Sequence, residues 1–355
     1  MIQGHGGNIY DAAKKIGCLP SEIIDMSSNV NPLGPPLGLI DYLKENINEI
    51  FKLPDVDSNT IIEELADFYN IPSSNILIGN GTTQFIYSLP NIINAKKAII
   101  IGPTYADYKD ACLMNNVDYE YFITSDLNDF EMNHDSMKDI LHKADTVFIC
   151  NPNNPTGKLI SIENIEKLCK NNPDINFIID ESYLPFAEQS KSIMDSRLSN
   201  VIVLHSMSKI FCIPGLRIGY LIAHESIIER YSNVLIPWSV NSLAQTAITY
   251  VVRNLKETDD FIAKTKSSLK TNKQNFINAL KNFDYFKIFP SETSFVLIKL
   301  LNNTADNICS MLLNDKILIR NCSNFIGLSN EYIRVSLKSD EINIKLAEKL
   351  IYYCA

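Results

Sequence analysis

The sequence predicts an α/β protein in which a large domain with a mostly parallel sheet is joined to a smaller C-terminal α/β domain. Three observations carry that expectation. From residue 60 to about 240, short runs rich in β-branched residues alternate with helical patterns. Most of these runs ("ILIG", "KAIIIGP", "DTVFICNP", "INFIIDES", "VIVLHSMS", "RIGYLIA") are apolar throughout, as strands buried on both faces are. Polar clusters follow four of them directly: "GNGTTQ", "NPNNPTG", "DESY" and "HSMSK". Ligands gather at the carboxyl ends of such strands, so these four loops are expected to meet on one rim.

Taken in chain order, residues 1–28 carry Gly and Asn clusters instead of a core pattern and are read as an arm. The stretch "NPLGPP" then forces an extended turn before the first helix. Residues 45–240 hold the alternating pattern and form the large domain. After residue 241 a long helical stretch, "NSLAQTAITYVVRNLKETDDFIAKTKSSLKTNKQNFINALKNF", leads to the strands "FKIFP", "SFVLIKL", "ILIRNC" and "YIRVSL". Residues 29–44 and 241–355 are assigned together to the smaller domain.

Composition narrows the function. A chain of 355 residues, 46% hydrophobic and 21% charged, can bury a large core. Its formal charge of -9 argues against nucleic acid as a partner. The eight cysteines show no C-x-x-C pair, as free thiols in a reducing cytoplasm would. The N-terminus has no secretory pattern, and no apolar run approaches the roughly 20 residues of a membrane span, so a cytoplasmic protein without a membrane partner is expected. Five histidines without H-x-x-x-H spacing give no reason to expect a metal.

The chemistry concentrates in "SMSKIFCIPGLRIGY", Ser206 to Tyr220, where Lys209 follows an apolar run and Arg217 precedes another. "GNGTTQ" is no dinucleotide fingerprint, since Gln84 stands where a third glycine would be needed. Its helix start at Thr82 and Thr83 instead offers backbone N–H groups and hydroxyls for one phosphate. Ser206, Ser208 and Arg217 fall on the same rim, and arginine presents a planar fork to phosphate oxygens. A small phosphate-bearing cofactor that also needs a lysine is pyridoxal 5'-phosphate, whose aldehyde forms a Schiff base with an ε-amine. Asp180 can then keep the ring nitrogen protonated, Asn154 and Tyr183 can hydrogen-bond the ring oxygen, and Tyr105 can stack on the ring.

The motifs "NPNNPTG", "DESY", "SMSKIFCIPGLRIGY" and "YIRVSL" together resemble the fold-type I aminotransferase superfamily, class I/II, nearly end to end. The resemblance implies Lys209 as the cofactor lysine and the roles above for the other residues. It further implies Arg334 as a clamp on the substrate carboxylate, and a homodimer with active sites at the subunit interface. "HGGNIYDAAKKIG", "DMSSNVNPLGPP", "PWSVNSLAQ" and "ILIRNCSNFIGL" resemble the threonine-phosphate decarboxylase branch, which lies close to histidinol-phosphate aminotransferase. That branch implies that His5, Gly6, Gly7 and Asn8 close over the active site, and that Asn29 and Arg320 help bind a phosphorylated amino acid. Two departures stand out: Leu53-Pro54-Asp55 replaces the usual Tyr-Pro-Asp, and Thr293-Ser294 replaces Ala-Asn before Phe295.

Decarboxylation of L-threonine O-3-phosphate or L-serine O-phosphate to an aminoalkyl phosphate is therefore expected, and the resemblance places it in cobamide (B12-type) biosynthesis. Histidinol-phosphate transamination is the rival reading within the fold. A cofactor-binding regulator without catalysis is the rival from another class, against which Lys209, Asp180 and Arg334 all weigh.

Overall fold

The structure, a computed structural model, describes residues 6–132, 137, 140–189 and 191–355. After β1 (Ile24–Asp25), the strands β2 (Ile76–Gly79), β3 (Lys97–Gly102), β4 (Asp118–Ile123), β5 (Thr146–Cys150), β6 (Asn176–Asp180), β7 (Val201–Ser206) and β8 (Gly219–Ile222) build one seven-stranded sheet. Its order is β2-β8-β7-β6-β5-β3-β4. Strands β7, β6, β5, β3 and β4 pair in parallel. Only β8 is reversed, antiparallel to both β7 and β2. The carboxyl ends of β2, β3, β5, β6 and β7 consequently share one rim, and the start of β8 returns to it.

The runs that are apolar throughout form this sheet because both of its faces are covered. Ile99, Val147, Ile149, Phe177, Ile179 and Val203 pack to one side with Ile165 and Leu168 of the helix Ile162–Asn171. Their neighbours in sequence, Ile100, Phe148, Ile178, Ile202 and Leu204, pack to the other side in the larger core. Successive strand residues point to opposite faces, so continuous apolar sequence fills both layers, at about 1.5–3 kcal/mol per large side chain buried. Edge strand β4 is half-exposed, and its sequence "DYEYFI" alternates as an edge should.

A second sheet of four antiparallel strands, in order β12-β13-β10-β9, comprises β9 (Phe286–Ile288), β10 (Phe295–Leu300), β12 (Arg320–Asn321) and β13 (Tyr332–Ser336). Strand β11 (Ile317–Leu318) pairs in parallel with β1 and so ties the N-terminal segment to the C-terminal part of the chain. That segment has more structure than its sequence suggests. A helix spans Ile9–Ile16, capped by Asn8 and by Gly17 at φ 71, and its Ala12 and Ala13 pack against Ile23 and Leu313. Two alanines make too narrow a stripe to announce a core. The long helical stretch is divided at Asn254 into Ser242–Arg253 and Leu255–Leu280. Among the described residues no helix is long and apolar enough to cross a membrane.

Candidate active site

Lys209 sits in the short helix Met207–Ile210 that follows β7 on the shared rim. Its carbonyl accepts the Asn31 N–H at 3.0 Å, which ties the lysine to the turn after β1. Two adjoining hollows, an inner one of about 160 Å3 and an outer one of about 130 Å3, share Tyr105, Asn154, Tyr183 and Lys209 on their walls. Burial, then the charges of Arg217 and Arg334, push the Lys209 amine down to about 8. A lysine in that range keeps a substantial neutral, nucleophilic fraction near neutral pH.

The inner hollow receives Gly81, Thr82, Thr83, Asp180, Ser206, Ser208 and Arg217. Thr82 and Thr83 lie in the first turn of the helix Gly81–Ile92, whose N-cap Asn80 provides no side-chain cap, so the leading N–H groups point at the hollow uncapped. Gly81 has φ +74, a conformation that favours glycine, and a Cβ there would lie 2.8 Å from Arg217 Nη2 and push the guanidinium aside. Arg217 itself has φ 55, a left-handed conformation costing on the order of 1 kcal/mol that aims its side chain across the helix start. Ser208 Oγ–H donates to the Ile218 carbonyl at 3.3 Å, joining the lysine turn to β8.

Asp180 ends β6 with only 5% of its surface exposed. It accepts hydrogen bonds from Tyr108 Oη–H at 2.9 Å and from the Ser182 N–H at 3.0 Å. Burial nonetheless raises its pKa, although those hydrogen bonds and the more distant Lys209 act against the rise. A buried carboxylate still pushed upward calls for a cation, and a protonated ring nitrogen would be one. Tyr105 stands edge-on to Tyr108 with ring centroids 5.8 Å apart, forming an aromatic wall. An uncapped helix start beside an arginine, a carboxyl in need of a cation and a lysine of lowered pKa fit pyridoxal 5'-phosphate.

The outer hollow adds Gly6, Ser27, Ser28, Asn29, Arg320, Asn324, Phe325 and Arg334. Asp25 lies behind it and holds Ser27 and Ser28: Oδ1 accepts from the Ser27 N–H at 2.9 Å and from Ser27 Oγ–H at 2.7 Å, and Oδ2 accepts from Ser28 Oγ–H. Arg334, on β13 and 4% exposed, donates through Nη1 to Asn154 Oδ1 and through Nη2 to the Ser27 carbonyl at 2.6 Å. Its guanidinium lies over the Phe295 ring at 5.2 Å, and its Nε–H is buried without a partner among the described residues. Burial pulls its pKa down, and burial also holds Arg320 at about 10. Arg320 donates to the Asn321 carbonyl and, at 2.7 Å, to Asn324 Oδ1, with Phe325 beneath it at 5.0 Å.

Every site residue expected from the sequence and described in the structure meets at these hollows except two. Gly7 and Asn8 line a neighbouring depression beside Arg320; the Gly7 N–H donates to Ser27 Oγ at 2.7 Å, and the Asn8 side chain is occupied in capping its helix through Asp11. His5 lies outside the described residues. Sequence reasoning missed Tyr108, Ser27, Ser28, Asn324 and Phe325. Tyr108 follows Tyr105 by three residues, and Ser27 and Ser28 stand inside "DMSSN", so adjacency to the chosen residues was the available signal. The two departures lie apart from the hollows: Leu53 is 77% exposed, while Thr293 Oγ1 pairs with Ser291 Oγ at 2.9 Å within its own loop.

A family model described as aminotransferase class I and II matches residues 21–350. Over 97% of its length the chain is 33% identical to the adenosylcobalamin biosynthesis bifunctional protein CobDQ of Leptospira interrogans, and it spans only 40% of that longer protein. It is 29% identical over 98% of its length to the histidinol-phosphate aminotransferase of Methanocaldococcus jannaschii, covering 94% of that protein. Among solved structures, L-threonine-O-3-phosphate decarboxylase from Porphyromonas gingivalis superposes with a TM-score of 0.83 at 29% identity, over 92% of this chain and 98% of the other.

Proposed function

The chain belongs to the class I and II aminotransferase family, whose cofactor is pyridoxal 5'-phosphate, and within it we propose that this chain is a lyase that decarboxylates an O-phospho-hydroxyamino acid. The products are CO2 and an aminoalkyl phosphate. When bound, the cofactor supplies a conjugated electron sink attached to the substrate's amine. Thr82, Thr83, Ser206, Ser208 and Arg217 hold its phosphate, Asp180 keeps its ring nitrogen protonated, Asn154 and Tyr183 bind its ring oxygen, and Tyr105 covers one face.

The substrate's own anions are left to the outer hollow. Arg334, preset by Asn154 and Ser27, takes the carboxylate, and Arg320, braced by Asn324 and Phe325, takes the phosphate, with Asn29 on the wall of the same hollow. Two fixed anchors would decide which bond at Cα is held for cleavage once the cofactor is bound. The reading requires the Cα–carboxylate bond in that position. Lys209 Nζ, on the wall shared by both hollows, would return a proton to Cα after CO2 leaves.

The observation that supports decarboxylation is the position of Gly6, within the N-terminal stretch whose sequence resembles the decarboxylase branch. A side chain there would collide with the Ser27 carbonyl oxygen and come within 3.4 Å of Arg334 Nη2, so Gly6 lets the N-terminal segment pass close over Arg334. The likeness to a decarboxylase structure and to a cobalamin-pathway protein supports this reading and a place in cobamide assembly. Histidinol-phosphate transamination remains the second reading, favoured by the aminotransferase relative. A homodimer belongs to the proposal as well, since Phe51, Leu53, Ile236 and Trp238 leave large apolar side chains exposed. Incubation with O-phospho-L-threonine tests the function: CO2 release without any added 2-oxoacid is expected, and strict dependence on such an acceptor would place the chain with the aminotransferases.

A further inference from the structure

Ser336 lies two residues beyond Arg334 on β13 and has no part in the chemistry described so far. Its side chain is fully enclosed, with 0% exposure, and its Oγ–H donates to Asn29 Oδ1 at 2.6 Å. At the other end of the same amide, Asn29 Nδ2–H donates to Tyr183 Oη at 3.2 Å. Three buried side chains from distant parts of the chain thus form one directed row that ends at the cofactor hollow.

The direction of the row has a cause. Ser336 Oγ carries one hydrogen, and its hydrogen bond to Asn29 is the one recorded for that side chain among the described residues. If the Asn29 amide were reversed, its NH2 would face Ser336 and the serine hydrogen would be buried without an acceptor, which is unfavourable. The amide is therefore held with its donor end toward Tyr183. A phenol that accepts from Asn29 keeps its own single hydrogen for another partner, and Tyr183 lines the inner hollow with Lys209 and Asn154.

We propose that Ser336 is a positioning residue that, through Asn29, aims the Tyr183 hydroxyl hydrogen at the ring oxygen of the bound cofactor. The proposal rests on the reading of Tyr183 as a donor to that oxygen. A hydrogen bond donated there stabilises negative charge on the oxygen and weakens its hold on the proton of the adjacent lysine-derived nitrogen. The charged and titratable groups around Tyr183 are Arg334, Asp180, Cys150, Tyr105 and Lys209, and none of them is removed by changing Ser336.

The test is a pH titration of the visible absorbance of the holoenzyme. Tyr183→Phe is expected to raise the midpoint, and Ser336→Ala to raise it in the same direction by about 0.5 to 1 pH unit, the scale of one hydrogen bond. In the double variant the midpoint should equal that of Tyr183→Phe alone, because the row acts only through the tyrosine. Ser336→Thr, which keeps the hydroxyl, should restore the parent midpoint. A shift for Tyr183→Phe without one for Ser336→Ala, or shifts that simply add, would overturn the role of Ser336 and leave the cofactor site standing. No shift for Tyr183→Phe would overturn both.

Discussion

Replacing Asp180 with asparagine separates holding the cofactor from activating it. The substitution preserves shape: the new oxygen can still accept the Ser182 N–H, now 3.0 Å from Oδ1, and the new NH2 can donate to Tyr108 Oη, now 2.9 Å from Oδ2. What disappears is the negative charge, at a position only 5% exposed. Leaving a buried charge without its partner costs roughly 3–5 kcal/mol. The pyridinium charge matters most as electrons enter the ring, so the loss falls mainly on the transition state and lowers kcat. At about 1.4 kcal/mol per decade, Asp180→Asn should slow turnover by two to four orders of magnitude. The assay pairs absorbance of bound cofactor with single-turnover CO2 release. Retained cofactor with a rate within tenfold of the parent enzyme would refute this role for Asp180.

Borohydride reduction should fix the cofactor to Lys209 alone, as peptide mapping would show. Capture of cofactor by the apoprotein should quicken as pH rises through about 8, where the amine loses its proton; a rate independent of pH between 6 and 9 would contradict that. Behind the site, Glu181 accepts from Ser192 Oγ–H and the Ile193 N–H, and burial raises its carboxyl to about 8 while burial lowers nearby His205 to about 4. Their 3.5 Å approach is thus a contact between neutral groups at pH 7. A carboxyl whose folded pKa is raised from 4.5 gives stability that is full below 4.5 and lost as pH rises through about 8. Glu181→Gln should therefore melt a few degrees above the parent at pH 9 and close to it at pH 5; the reverse order would refute the assignment. Threonine phosphate and serine phosphate differ by one methyl, worth about 10 to 200-fold in a pocket, so both should react, and competition giving a kcat/KM ratio far beyond a thousand would reveal an unrecognised polar contact.

The inner hollow was legible because its residues end strands whose burial is written in unbroken apolar runs, and each polar cluster begins where a run stops. Asp180 after "FII" and Lys209 after "VIVLHSMS" are of this kind. Strand direction was not legible: β8 is as apolar as its neighbours, and burial is the same whichever way a buried strand runs. Strand β4 was missed because an edge strand alternates polar and apolar residues and gives no such run. The outer hollow depends on contacts across long separations, such as Ser336 with Asn29 and Arg334 with Ser27, which no local pattern encodes. Its arginines came from motif resemblance, whereas Asp25 and Ser336, which hold Ser27 with Ser28 and the Asn29 amide, required the structure.

The most direct measurement is the reaction of O-phospho-L-threonine in D2O, without a 2-oxoacid, followed by NMR and CO2 release. Decarboxylation with protonation at Cα should give one CO2 per substrate consumed and an aminoalkyl phosphate carrying one deuterium on the carbon beside its amine. Recovery of substrate that has only exchanged its Cα hydrogen for deuterium, with turnover appearing once an oxoacid is added, would contradict the decarboxylase reading.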